Sequence, residues 1–177
     1  MNVKRLFFWA ACFLALFGYT AVFEKPAPEK GAKEIRQQED FPKVFLLDRE
    51  AIKEIQLRRD GKSARILKKG KAWEIAAPPN AGLQKELIEG LVTALTDAVT
   101  LGVVEENPVS LDQFGLAQPA ITASIFLQEK PEPVTLLIGA NSPSEISVYA
   151  KIESEKKVIM LGTYLTFSIK MFMDNIR

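Results

Sequence analysis

Residues Leu6 to Phe23, LFFWAACFLALFGYTAVF, run for eighteen positions without a charge, bounded by Lys4-Arg5 before and Glu24-Lys25 after. A helix of that length rises about 27 Å, close to the ~30 Å hydrocarbon core of a bilayer. A helix in a water-soluble core keeps one polar side. This run would have none, and lipid is the solvent that tolerates that. The expectation is a single-pass signal anchor over 6–23, with residues 1–5 as a short cytoplasmic N-terminus and the lipid bilayer as the first partner. A cleaved secretory signal fits less well, because a cut after Ala21 would leave Tyr19 where a small residue is needed, and a cut after Thr20 has no A-x-A pattern. A lipoprotein signal ending at Cys12 would keep only Leu6 to Ala11 as its apolar region. Orientation is contested within the sequence. Lys25, Lys30, Lys33 and Arg36 outnumber Lys4 and Arg5, yet long domains translocate regardless of charge, and a short basic start before an apolar run is the layout of a signal anchor. The rest of the chain is therefore expected outside.

From Glu24 to Lys43 the chain carries three prolines, one glycine and ten charged residues, with only Ile35 and Phe41 as sizeable apolar groups. Such a segment buries too little to order itself and reads as a flexible stalk over 24–43. About 135 residues remain, one ordinary domain over 44–177. The formal net charge of +1 makes no global argument for nucleic acid or an acidic partner. The single cysteine lies in the apolar run, so the domain has no internal disulfide, and the absence of histidine removes imidazole bases and nearly every zinc site.

Val44-Phe45-Leu46-Leu47 opens the domain, and Asp48-Arg49-Glu50-Ala51 reads as one capped turn. Ile55 and Leu57 then alternate with Gln56 and Arg58 up to Asp60-Gly61, a two-residue turn that favours positive φ. Closing that hairpin pairs Leu57 with Ala64 and Ile55 with Ile66, so turn and apolar pattern agree. A second turn at Lys69-Gly70 would pair Ile66 with Trp73 and Ala64 with Ile75, and would set Arg65 opposite both Gln56 and Glu74. From about Gly82 to Leu101, leucines at 83, 87, 91 and 95 with Ile88, Val92 and Val99 predict a long amphipathic helix, capped by Gly102, whose stripe covers that sheet face. Val103 to Pro119 reads as a linking stretch. Alternation returns at Ile121–Leu127, Val134–Ile138, Ser147–Ile152 and Val158–Leu161, the last two pairing Ala150 with Ile159 and Val148 with Leu161, and a helical turn or two follows at Tyr164 to Phe172. The fold class is α+β: antiparallel meander and hairpins packed with one long amphipathic helix and a short C-terminal helix.

Val44-Phe45-Leu46-Leu47-Asp48 through Ile52 and Ile55, Trp73, Asp112-Gln113-Phe114-Gly115-Leu116 with Pro119, Ile138-Gly139, Val148-Tyr149-Ala150 and the closing Asp174-Asn175-Ile176-Arg177 together resemble the bacterial family called domain of unknown function 4340. The likeness spans roughly residues 44–177, and its most specific piece is Phe114-Gly115-Leu116 followed by Pro119. It implies a single-pass protein of the bacterial inner membrane with its C-terminal domain in the periplasm or outside. It also implies membrane-protein partners, with components of ABC-type transport systems as the expected kind. No catalytic residue comes with it, and the chain holds one copy of the unit.

The search for chemistry finds neither a G-x-S-x-G, nor a phosphate loop, nor metal-ligand spacing. Glu105 and Glu106 would point apart on a strand, and Asp112 falls in a turn. Gly139-Ala140-Asn141-Ser142-Pro143-Ser144 has the composition of a loop that can meet a ligand or simply join strands. No catalytic residue, metal ligand or cofactor is assigned. The positive feature is a basic hairpin of Arg58, Arg59, Lys62, Arg65, Lys68, Lys69 and Lys71, read either as solvated strand ends or as a patch for anionic lipid or an acidic partner. Aromatics are not interleaved with these charges, so nucleic acid is not expected. Two functional classes follow: a non-catalytic binding or scaffold module of an envelope complex, and a histidine-independent hydrolase using carboxylate or serine chemistry.

Overall fold

The structure, a computed structural model, describes residues 41–79, 82 and 84–176, and Phe41 to the C-terminus forms one compact unit. The expected anchor Leu6–Phe23 and nearly all of the stalk lie outside the described residues. Among the described residues no helix is long and apolar enough to cross a membrane.

The unit is α+β, with one sheet of eight strands and two helices on one of its faces. The strands are β1 (Ile52–Arg59), β2 (Lys62–Lys69), β3 (Ala72–Ala77), β4 (Thr100–Glu105), β5 (Ile121–Leu127), β6 (Val134–Asn141), β7 (Ser147–Ile152) and β8 (Val158–Gly162). The helices are α1 (Lys85–Thr96) and α2 (Thr163–Asn175). In space the strands run β3-β2-β1-β5-β6-β7-β8-β4, each antiparallel to its neighbour. The two meanders therefore meet at the β1–β5 pair, where Ile55 faces Ile125 and Leu57 faces Ala123.

Asp60 and Gly61 take φ of 49° and 74°, so the two-residue turn closes as expected and pairs Leu57 with Ala64 and Ile55 with Ile66. The β5–β6 and β7–β8 pairings also follow the alternation, including Ala150 with Ile159 and Val148 with Leu161. Asp48 caps the turn Arg49–Ala51 by accepting the Glu50 N–H at 2.9 Å.

The β2–β3 register differs from expectation by two residues. Gly70-Lys71 forms the turn, with φ of +62° at Gly70, so Ile66 faces Ile75, Lys68 faces Trp73, and a bulge brings Arg65 opposite Ala77 rather than Glu74. Because the slip is two and not one, the same side chains still point inward. Helix α1 ends at Thr96, with the Asp97 N–H bonded to the Thr93 carbonyl, so the expected extension to Leu101 does not form. The β-branched run after it pairs with β8 instead, and Gly102, with φ +146°, sits at a bulge of β4 rather than in a helix cap. The linking stretch thus begins after Glu105. Helix α2 is thirteen residues, longer than the turn or two expected.

One core lies between sheet and helices. Ile55, Leu57, Ile66, Trp73, Ile125, Leu136 and Ile138 meet Leu91, Val92 and Leu95 of α1 and Leu165, Ile169 and Phe172 of α2. Alternating directions gather strand termini at two ends of the sheet. At the entry end stand Arg59, Lys62, Thr100, Ile121, Asn141, Ser147 and Gly162. The described chain joins there too: the Pro42 carbonyl accepts from Thr100 N–H at 2.9 Å, and Val44 N–H donates to the Ala98 carbonyl at 2.8 Å.

Candidate functional site

The seven basic residues do not form one surface. Strand β2 is eight residues long, which separates its ends by roughly 23 Å at 3.3 Å per residue. Arg58, Arg59 and Lys62 lie at the entry end and Lys69 and Lys71 at the far end. Arg65 and Lys68 point to opposite faces. Four of the seven are neutralised locally: Arg59 by Asp60 and Asp174 at 3.1 and 2.9 Å, Arg65 by Glu54, Lys68 by Glu50 at 2.8 Å, and Lys69 by Glu74 at 2.6 Å. Sequence proximity counted seven cations together that the strand geometry keeps apart.

Lys68 departs furthest from the expected exposure. Its side chain is only 8% exposed, on the helix face beside Ile66 and Trp73. Its ammonium donates to the carbonyls of Arg49 and Glu50 at 3.3 and 3.1 Å and to the Glu50 carboxylate at 2.8 Å, and stands 5.9 Å from the centre of the Trp73 ring. Three donors and three acceptors satisfy an ammonium, so Lys68 ties the turn Arg49–Ala51 to β2 and is not available to a ligand.

The helix-free outer face is finished differently along its length. Over β1 and β2, Glu54 accepts from Arg65 Nε and its guanidinium nitrogen at 2.6 and 2.8 Å and from Gln56 at 2.6 Å. The Arg65 hydrogen bond, supported by that from Gln56 and by the Arg65 charge, holds the Glu54 carboxyl below the usual glutamate range, although partial burial opposes it. The same pair raises the Arg65 guanidinium. Beside it an open trough of about 530 Å³ is lined by Gln56, Arg58, Ser63, Thr122, Ser124 and Glu153, among others. Ser124 and Thr135 hydroxyls bridge β5 and β6 across it at 3.1 Å.

Over β6–β8 the outer face is closed. The segment after β4 returns across it and packs Phe114 and Leu116 against Val158, with Leu111, Leu137 and Tyr149 around them. Phe114 meets Tyr149 edge-on, with ring centres 5.2 Å apart. Gly115 adopts φ +66°, and a Cβ on Gly139 would lie 2.2 Å from the Phe114 carbonyl oxygen, so only glycine lets the two backbones touch. The motif residues Phe114, Gly115, Leu116, Gly139 and Tyr149, scattered in sequence, are thus a single clasp. Pro119 is half-buried just before β5, and Trp73 belongs to the main core, 5% exposed.

The residues weighed for chemistry hold turns. Ser147 donates to Ser142 at 2.8 Å and Ser142 meets Ser144 at 3.1 Å, so these hydroxyls bond one another. The Asp112 carboxylate accepts from Ser110 at 2.8 Å, and Glu105 accepts from Gln113 at 3.4 Å. Among the described residues no cluster of three His, Cys, Asp or Glu stands close enough to hold a metal.

Sequence reasoning missed the outward side of α2. Tyr164, Phe167 and Met171 are 68%, 60% and 41% exposed, while Leu165, Ile169, Phe172 and Met173 fill the core. Apolar residues on both sides of one helix were the available signal.

The family model described as Domain of unknown function (DUF4340) matches residues 73–177. No curated protein and no solved structure matches the chain. The matched region begins in β3 and contains the whole clasp.

Proposed function

The chain belongs to the family of domain of unknown function DUF4340, and on that premise we propose that it is a non-catalytic binding module tethered by Leu6–Phe23 to the bacterial inner membrane. Its folded domain stands outside the cytoplasm and serves an envelope complex, with an ABC-type transport system as the kind the family resemblance implies. The observation that carries the reading is the open trough on the outer face. Its hydroxyl, amide and guanidinium groups line an uncovered sheet surface, while the motif residues beside it are buried in packing. Such a surface suits a polar segment of a partner protein better than a small apolar ligand, which needs enclosure.

Affinity capture of the full chain from detergent-solubilised membranes tests this. Recovery of an ABC-type ATPase or permease by the native chain, and its loss with Arg58→Glu combined with Ser124→Arg, is the expected result. Equal recovery by both chains, or recovery of neither component, would overturn it.

A further inference from the structure

Tyr164 and Phe167 expose most of their side chains at the start of α2, and Ile146, in the turn between β6 and β7, is 73% exposed. The topology brings them together at the entry end, because β6 finishes there, β7 starts there, and α2 follows directly from the end of β8. Phe167 and Lys170 share a hollow with Arg59, Ile121 and Asn141 along those strand termini. Tyr164 shares another with Asp97, Ala98 and Val99. Val99 is bridged to Lys43, the residue through which the chain from the N-terminal side reaches the domain. The exposed aromatic cluster and the point of attachment are therefore neighbours.

We infer that this end of the domain rests in the headgroup region of the bilayer that holds the tether, with Tyr164, Phe167 and Ile146 inserted among the lipids; this rests on the tethered reading above. Aromatic rings and an aliphatic side chain beside lysine are what an interfacial contact needs: apolar bulk for the acyl boundary, and cations for phosphate. The charge balance at this end agrees. Arg59 is shared by Asp60 and Asp174, while Arg58, Lys62 and Lys170 carry no ion pair among the described residues and Glu145 is the unpaired carboxylate of these turns, so four cations face three carboxylates. Residues 24–40 link the apolar run to this end of the domain, which the described chain enters at Phe41 and Pro42. One excess cation is a weak electrostatic attraction, so the contact rests on the apolar side chains and should survive moderate salt.

The full chain in anionic vesicles provides the test, using Cys12→Ser to remove the native thiol and a fluorophore on Phe167→Cys or, at the far end, on Lys71→Cys. Lipids spin-labelled near the headgroup should quench the label at 167 several-fold more than the label at 71, at both low and high salt. Carbonate washing of the same vesicles separates the two levels of inference. Release of the chain would defeat the tethered reading itself, whereas retention with equal, weak quenching at both positions would overturn only the docked orientation. A label at 167 shielded from aqueous quencher but untouched by lipid quencher would overturn it in favour of a protein partner. Tyr164→Ser with Ile146→Ser should abolish the difference between the two labels while leaving the melting temperature in place, because both side chains are already exposed.

Discussion

On the outer face of the sheet, Glu54 and Arg65 hold each other over β1 and β2 within reach of water, whereas Phe114, Leu116, Val158 and Tyr149 exclude it over β6–β8. Both arrangements finish a surface that no helix covers. The closed one depends on two backbones touching at Gly115 and Gly139, and tolerates little change in shape. The open one is a charge-assisted bidentate pair with its guanidinium half in solvent, so its net worth is modest and it leaves the neighbouring trough accessible. One half of the sheet is built to stay shut, and the other can be approached.

Removing a buried ring from either half should give the largest effects. Phe114→Ala and Trp73→Ala are each expected to cost about 3–5 kcal/mol, read from denaturant midpoints. Amide exchange would separate them. Phe114→Ala should loosen β6–β8 first, and Trp73→Ala the β2–β3 pair; uniform loosening by both would show that the two halves open as one unit.

A smaller effect belongs to the open half. Because the folded Glu54 pKa lies below its unfolded value, its contribution is present above the ordinary glutamate range near 4.3 and is lost as pH falls through the lowered folded value. Glu54→Gln should cost about 1–2 kcal/mol at neutral pH, discounted for the exposure of Arg65, and should flatten the acid limb of the stability curve. An unchanged acid limb would mean that the pair adds nothing.

Smallest of all should be Lys62→Glu and Lys71→Glu, at opposite ends of β2 and unpaired among the described residues, each within about 0.5 kcal/mol of the native chain by thermal melting. Lys68→Glu would be a poor companion to them, since it places a carboxylate beside the Glu50 carboxylate and the Trp73 ring.

Legibility followed locality. Asp60-Gly61 and the alternation on either side revealed β1–β2 because a two-residue turn with two positive φ angles leaves one register, and β7–β8 was equally plain. At Lys69-Gly70-Lys71 the single glycine fits either position of a two-residue turn, and the structure places it first, in Gly70-Lys71. Strand β4 was hidden because Val99 continues the four-residue leucine spacing of α1, and nothing local records that Val103 will face Ile159. The residues of the clasp were visible as a motif, but their mutual contact was not, since Phe114 and Tyr149 are neighbours only after the sheet has formed. The basic hairpin misled for the opposite reason: residues close in the chain were carried to different ends and faces by the strand that holds them.

The β1–β5 pair, where the two meanders join, has a kinetic meaning. Its partners, from Arg59 with Ile121 to Ile52 with Leu127, are about 60–75 residues apart in the chain, so this junction is the most non-local part of the sheet. During synthesis the first meander must wait, with the inner edge of β1 unpaired, until β5 has emerged. The sheet therefore cannot be completed before most of the polypeptide is available.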